Sequence, residues 1–285
     1  MTFVVTGAST GIGEACTLHL ANLGHRVFAA VRKEADAERL RRQNVNITPL
    51  LFDVRDEGAV RAAADLVSRD VGPSGIQGLV NNAGVAVAAP LEYLPVDDLR
   101  LQLEINVVGQ IAVTQAFLPL LRQGKGRIAF ISSISGLMAN PMVGAYSASK
   151  HAIEALADAL RMELAEWGIE VVVVEPGQIA TPIWETSAKA AEVRQRRMPP
   201  EAKTRYGWMM RGARVRAAEG ATLGTDPREV ATTVAKALLS AKPKTRYVVG
   251  RDGRLVRMLA VLPDRLRDRL VLGRLRKMSA ASRDR

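Results

Sequence analysis

Within the stretch SISGLMANPMVGAYSASK, Tyr146 and Lys150 stand four residues apart and Ser133 opens the run on what reads as a strand end. If Tyr146 opens a helix, the i,i+4 spacing puts both side chains on one face. An ammonium beside a phenol favours the phenolate and brings a tyrosine down from its usual ~10. Tyr146 could then give or take a proton, with Ser133 hydrogen-bonding a substrate oxygen. The same residue types also describe an ordinary helix start with a surface Tyr and Lys, so the rest of the chain has to decide.

A second chemistry is written near the N-terminus. Thr6-Gly7-Ala8-Ser9-Thr10-Gly11-Ile12-Gly13 follows an apolar strand-like run and opens an amphipathic one. Glycines there permit positive φ and close backbone approach, and the helix start offers unpaired N–H groups to a pyrophosphate. The spacing G-x-x-x-G-x-G departs from the commoner G-x-G-x-x-G, so the strand–turn–helix setting carries the reading. The next strand ends Ala30-Val31-Arg32-Lys33. An acidic residue at that end would hold the ribose of NAD. Val31 stands there instead, and Arg32 can pair with a 2′-phosphate, which favours NADP over NAD; otherwise Arg32 and Lys33 are solvated charges. Asp53, at the end of the third strand, either meets an adenine amino group or caps the following helix. Asn81-Asn82-Ala83-Gly84 reads as a turn after a buried strand. Asn106 falls inside the apolar run LQLEINVVGQIAVTQAFLPLL, where a buried amide must find partners. Binding a water, kinking the helix or sitting satisfied in the core all fit.

The elements that would position these residues alternate along the chain. Strand-like runs occur at Phe3–Thr6, Arg26–Val31, Ile47–Phe52, Gly78–Asn81, Arg127–Ser132, Glu170–Val174 and Tyr247–Gly250. Amphipathic runs lie between them at Ile12–Leu23, Ala35–Arg42, Glu57–Val71, Asp97–Leu121, Tyr146–Trp167 and Pro227–Leu239. Strands that are apolar at nearly every position are buried on both faces. The fold class is therefore α/β, a Rossmann-type doubly wound parallel sheet of about seven strands with helices on both faces and the ligand site beyond the strands' carboxyl ends. Residues 176–225 read as a long, irregular insert of the kind that makes lids.

Composition narrows the functions. The 285 residues are 48% hydrophobic, enough for one large domain, and no stretch approaches the roughly 20 uninterrupted apolar residues of a membrane span. One cysteine, Cys16, and three histidines leave no metal-ligand cluster, so no metal is expected, and a lone thiol suits a reducing cytoplasm. No secretory signal is visible. The net charge is +11, of which residues 251–285 contribute eleven Lys/Arg against four Asp/Glu. Without a nucleic-acid module or interleaved aromatics, that tail reads as amphipathic rather than nucleic-acid binding.

Taken together, the chain resembles the short-chain dehydrogenase/reductase family over roughly residues 1 to 250. Thr6-Gly7-x-x-x-Gly11-Ile12-Gly13 matches its cofactor turn, Asn81-Asn82-Ala83-Gly84 its strand-four motif, and Asn106, Ser133, Tyr146 and Lys150 its catalytic tetrad in order and spacing. Pro176-Gly177 and Thr181 match the segment lining the nicotinamide. The resemblance implies a cofactor site built from Gly7, Ser9, Thr10, Gly11, Ile12, Gly13, Arg32, Asp53, Val54, Asn82, Ala83, Gly84, Tyr146, Lys150, Pro176, Gly177, Ile179 and Thr181. It implies that the tyrosine exchanges the proton, the lysine lowers its pKa and holds the ribose, the serine orients the substrate, and the asparagine fixes a relay water. The run from Gly126 to Gly177, followed by QIATP, is most similar to the hydroxysteroid and retinol dehydrogenase branch. A small apolar alcohol or carbonyl substrate and NADP, with NAD second, are the corresponding expectations. The runner-up is a cofactor-sensing or membrane-associated binding protein without turnover, which would be expected to lack the tyrosine or the lysine.

In such a protein residues 183–225 form the substrate lid. Ile183, Trp184, Met198, Tyr206, Trp208, Met209 and Met210 are candidate pocket walls or lid packing, and nine Lys/Arg against four Glu there could draw an acidic head group or simply be solvated. Residues 251–285 form a basic helical extension that Pro263 breaks in two. It is expected to meet an anionic membrane, cover the substrate mouth, pack on a second subunit or pack on the core. The family implies a homodimer or homotetramer through Asp97–Leu121 and Tyr146–Trp167, and the location expected is cytoplasmic, with a peripheral contact at the inner membrane surface.

Overall fold

The computed structural model describes residues 1–281, the side chain of Arg254 apart. The pleat of each strand sends successive apolar residues to opposite faces, and both faces are covered. Strands β1 (Thr2–Val5), β2 (Arg26–Val31), β3 (Ile47–Leu51), β4 (Gly78–Asn81), β5 (Arg127–Ile131), β6 (Glu170–Pro176) and β7 (Arg246–Val249) form one parallel sheet in the order β3-β2-β1-β4-β5-β6-β7. Strand order reverses between β1 and β4, which opens the ligand crevice of a doubly wound sheet at their carboxyl ends.

On one face Phe3, Val5 and Val27 pack with α1 (Gly11–Asn22), α2 (Glu34–Gln43) and α9 (Pro227–Leu239). On the other, Val4, Phe28 and Phe130 pack with α3 (Glu57–Val71), α5 (Gly109–Gly124) and α6 (Gly144–Glu163). Phe3, Phe28, Phe117 and Phe130 are wholly buried, each worth roughly 1.5–3 kcal/mol of transfer free energy.

Two elements depart from the expectations. The run predicted as one helix over 97–121 is α4 (Val96–Leu103) and α5 joined through a π turn at Glu104–Val108, which contains Asn106. The whole of Val96–Gly124 is long and apolar enough to cross a membrane by length and composition. Here Val113, Phe117, Leu120 and Leu121 are instead packed on the sheet. The insert expected to be irregular is two helices, α7 (Ile183–Arg197) and α8 (Pro200–Leu223). Its many Ala, Glu, Lys and Arg residues are good helix formers, and Pro200 suits the first helical turn.

Pro263 stands between α10 (Gly253–Ala260) and α11 (Asp264–Ala281). Val256 of α10 is buried against Ile134 and Met138, in the loop that follows β5. Leu275 of α11 lies against Gly212 of α8, and Arg276 sits over the Trp208 ring. The tail therefore packs on the domain and on the insert.

Candidate active site

The glycine turn is held by sterics and by one amide. Gly7 and Gly11 have φ of +63° and +60°, and a Cβ on Gly13 would lie 2.2 Å from the Gly7 carbonyl oxygen. Asn82 Nδ2 donates to the carbonyls of Thr6 and Gly7 at 2.9 and 3.1 Å, and the Thr6 hydroxyl accepts from the N–H groups of Asn82 and Ala83. Asn82 thus staples the turn to the end of β4. Thr10 caps α1 without spending its side chain, so its hydroxyl and the helix N–H groups face outward from the turn. Thr181 arrives from the far end of the sheet, its Cβ 3.1 Å from where a Gly11 Cβ would be. A cradle that only glycine fits, with an unspent hydroxyl and a helix start, suits a dinucleotide pyrophosphate.

Around that cradle the expected contacts divide. Arg32 is exposed just beyond buried Val31. The Asp53 carboxylate accepts from Arg55, which holds its pKa below the usual range, with Arg32 adding to the effect. Asp56 rather than Asp53 caps α3, accepting from Ala59 N–H at 2.9 Å, so the capping alternative falls away for Asp53. Val54 is buried against Gly109, and Gly84 approaches the Asn106 amide. Ile12 and Ile179 place their side chains on the α1/α9 core, which leaves their main chains for any ligand contact. Gly177 donates to Val249 O at 2.8 Å and leaves room for Asp252, whose carboxylate accepts from Gln178 N–H. Arg39 was not anticipated. Its guanidinium donates to the Ser9 carbonyl and pairs with Glu14, putting a second arginine beside the turn. A helical arginine two turns after Arg32 was the available signal.

Of the four residues expected to transfer the proton, Ser133 follows β5, Tyr146 and Lys150 lie in the first turns of α6, and Asn106 lies in the π turn packed against α6. α6 begins at Gly144, two residues before Tyr146, so Tyr146 and Lys150 share a face as expected, with the Lys150 Nζ 5.6 Å from the Tyr146 ring centre. Ser133 sits beside Tyr146 and opposes the effect of burial on its hydroxyl. Ser133 Oγ accepts from Ser135 N–H at 3.1 Å and donates to Pro176 O at 3.5 Å, which fixes it between loop and β6. Asn106 is wholly buried in the π turn. Its Nδ2 donates to Val85 O and Ser149 Oγ, and its Oδ1 accepts from Val85 N–H. Ser149 in turn donates to Tyr146 O at 2.7 Å, so the amide braces the start of α6. The side chain is satisfied as a core asparagine, with one Oδ1 lone pair left for a water. π turns of this kind recur at functional sites.

The electrostatics correct one expectation. Burial holds the Tyr146 hydroxyl above its ordinary pKa, opposed by Ser133, where the neighbouring lysine was expected to lower it. Lys150 is 4% exposed, and burial brings it down to about 8 against the pull of Glu154. Its Nζ donates to Ile131 O at 2.7 Å rather than to the phenol. Desolvation thus outweighs the 5.6 Å cation–ring interaction in this arrangement.

Several residues named as pocket walls hold the insert in place. Trp184 Nε1 donates to Ile179 O at 2.6 Å and its ring lies on Gly220. Tyr206 donates to Glu92 and meets Tyr93 edge-on, and Arg205 pairs with Glu92. Arg194 of α7 reaches Asp98 of α4 with two hydrogen bonds, at 2.6 and 3.2 Å.

Residues 1–192 match the short chain dehydrogenase family. The chain is 38% identical to an NADPH-dependent 3-dehydrocapnine reductase of Ornithobacterium rhinotracheale, covering 98% of this chain and 99% of that one. It is 36% identical to human retinol dehydrogenase 5, over 88% and 81%, and 34% identical to human 17-beta-hydroxysteroid dehydrogenase type 6, over 93% and 85%. Among solved structures, a short chain dehydrogenase from Burkholderia cenocepacia in complex with NADP superposes with a TM-score of 0.71 at 26% identity, covering 94% and 95%. A glycine-built cradle at the sheet's switch point, Ser133, Tyr146 and Lys150 beside it and these relatives lead to one conclusion: the chain belongs to the short-chain dehydrogenase/reductase family and is an oxidoreductase of its retinol and hydroxysteroid dehydrogenase branch.

Proposed function

We propose that the protein interconverts an apolar alcohol and its ketone or aldehyde with NADP(H), using Tyr146 as the general acid/base. The observation that carries this is Tyr146 with Ser133 beside it and the buried Lys150 Nζ 5.6 Å from its ring, in the same crevice as the glycine cradle. The residues fit the cofactor: Gly7, Gly11 and Gly13 leave room for a pyrophosphate, with Ser9, Thr10, Asn82 and Thr181 around it. Arg32, with Arg39 nearby, offers positive charge for a 2′-phosphate. When bound, the cofactor carries the hydride. Ser133 orients the substrate oxygen and Tyr146 supplies its proton on reduction. A protonated phenol at this position is competent to give its proton to a carbonyl oxygen. Lys150 relays the replacement proton to Tyr146 from the polar group around Asn106.

An apolar substrate is supported by the names of the relatives, a 3-dehydrocapnine reductase and retinol and hydroxysteroid dehydrogenases, and by the methionines of α8. The test is a panel of retinoid, steroid and medium- and long-chain carbonyls, followed by NADPH absorbance with purified protein. NADPH turnover on an apolar carbonyl is expected, and Arg32→Asp should reverse the cofactor preference towards NADH. Equal Michaelis constants for the two cofactors in the parent protein would sink the assignment of Arg32.

A peripheral membrane contact through the tail is part of this proposal. Met258 and Val261 are 68% and 83% exposed, next to Leu255, Leu266 and Leu270 and among Arg257, Arg265 and Arg269. Apolar side chains ringed by arginine suit an anionic bilayer surface on the cytoplasmic side. Pelleting with anionic liposomes should be lost in a Met258→Asp, Val261→Asp double variant. Assembly through the outer faces of α5 and α6 is likewise proposed, and light scattering on the purified protein tests it.

A further inference from the structure

Beneath the Ser133 loop lies a group of acidic residues that the proton transfer above does not use. Glu175 is wholly buried at the end of β6, and Glu154, one helical turn after Lys150, is 8% exposed. Both face one guanidinium. Arg246 Nε lies 3.1 Å from Glu154 Oε2 and 3.4 Å from Glu175 Oε1, and its second nitrogen donates to Asp158 at 2.7 Å. Asp158 is also paired with Arg161. Arg257 of α10 acts on Glu175 from further off. Among the described residues, Glu154 Oε1, both Glu175 oxygens and Ser132 Oγ are buried with no hydrogen-bond donor.

Buried carboxylate oxygens that no hydrogen bond satisfies are costly unless a proton neutralises one of the groups. Gly136 marks how near they are to the site. A Cβ there would lie 2.8 Å from Ser132 Oγ, 3.1 Å from Glu154 Cγ and 3.2 Å from Lys150 O. Along the chain, Ser132 precedes Ser133, and Glu175 precedes Pro176, whose carbonyl accepts from Ser133.

We propose that Glu175 is a positioning residue that works in its protonated form, beside the Glu154 carboxyl group and beneath the Ser133 loop. That proton relieves the repulsion between the two carboxyl groups, and Arg246 contacts both. Loss of that proton to solvent leaves two carboxylates against one guanidinium, and their repulsion bears on the two segments, Ser132–Ser133 and Glu175–Pro176, that hold the serine hydroxyl. Burial, then the charge of Glu154, push the Glu175 carboxyl up to about 7, so the change falls at neutral pH. The proposal rests on the reading of Ser133 and Lys150 as catalytic, but the protonation itself can be read without substrate.

The first measurement is therefore the infrared carbonyl band of a buried carboxylic acid in the substrate-free protein as pH rises. It should vanish near neutral pH in the parent, vanish at lower pH in Glu154→Gln, and be absent in Glu175→Gln. Thermal stability supplies the second. The unfolded chain loses this proton near 4.5 and the folded one near 7, so the contribution is present below 4.5 and lost as pH rises through 7. The parent should lose stability across that window relative to Glu175→Gln. The third is the pH profile of kcat, in which the parent falls above neutrality and Glu175→Gln, a neutral mimic, shows a later decline. A parent protein without the acid band below neutral pH overturns the proposal whether or not Glu175→Gln folds. An unchanged kcat profile in a folded, turning-over Glu175→Gln overturns the positioning role. Absence of turnover in the parent would count against the proposed function and leave the infrared and thermal results to decide the protonation.

Discussion

The two walls of the crevice are built by different means. On the sheet side, the cofactor turn and the Ser133–Tyr146–Lys150 group are held by backbone that admits no side chain and by buried hydrogen bonds, as at Gly13 against Gly7 and Asn82 against Thr6. On the insert side, α7 and α8 are tied down by ion pairs at the surface and near it, Arg194 to Asp98 and Arg205 to Glu92. Steric necessity gives one conformation, while a solvated ion pair exchanges with water and salt. The difference teaches that one wall is fixed by sterics and buried hydrogen bonds, while the other can be loosened by salt.

The largest effect expected is on the rigid wall. Tyr146→Phe should lower kcat by about 10²–10⁴ while circular dichroism and cofactor affinity stay unchanged. Turnover within a few-fold of the parent would remove Tyr146 from the mechanism.

Next is the stability cost of burying Lys150. The unfolded lysine holds its proton up to about 10.5 and the folded one only to about 8, so the unfolded state binds more protons between those values and stability rises with pH across them. Lys150→Met should remove a rise on the order of 3 kcal/mol, read by denaturant unfolding at pH about 7.5 and about 10. A parent whose stability does not change differently from the variant across that range would place Lys150 in a wetter setting.

The same substitution can then be made on both walls. Gly13→Ala should cost at least about 1–3 kcal/mol and abolish cofactor binding, since its methyl group has nowhere to go. Gly273→Ala in α11, where nothing lies within 4 Å, should instead stabilise by roughly 0.5–1 kcal/mol. Thermal melts of the pair decide whether the contrast is steric.

The smallest effects concern the ion pairs. Arg194→Ala, which breaks a pair of hydrogen bonds at 17% and 24% side-chain exposure, should cost about 1.5–3 kcal/mol and raise KM more than it lowers kcat. Arg205→Ala, at an exposed pair, should cost less than about 1 kcal/mol, and that cost should vanish in high salt. Salt-insensitive costs at both sites would mean that the insert is held by packing, as Trp184 on Gly220 already is in part.

Much of this was legible in the residues because local rules dictated it. Double-faced apolar strands, a glycine turn between strand and helix, and Tyr146 four residues before Lys150 each carry their geometry in their spacing. The break at Pro263 and the parallel order followed for the same reason. Other features depended on what the chain folds against. Alanine, arginine and glutamate made residues 183–223 largely helical, although the break in the strand–helix alternation suggested an irregular insert. Asn106 became a brace because a π turn aimed it at Val85 and Ser149.

The sequence by itself determined the sheet, the glycine turn and the placing of Tyr146 and Lys150 on one helix face, since pattern and steric allowance act between neighbours in the chain. Only the tertiary structure decided how those groups are charged. Burial, which no spacing encodes, raises Tyr146, lowers Lys150 and brings Glu154, Glu175 and Arg246 together from α6, β6 and β7 beneath the serine loop.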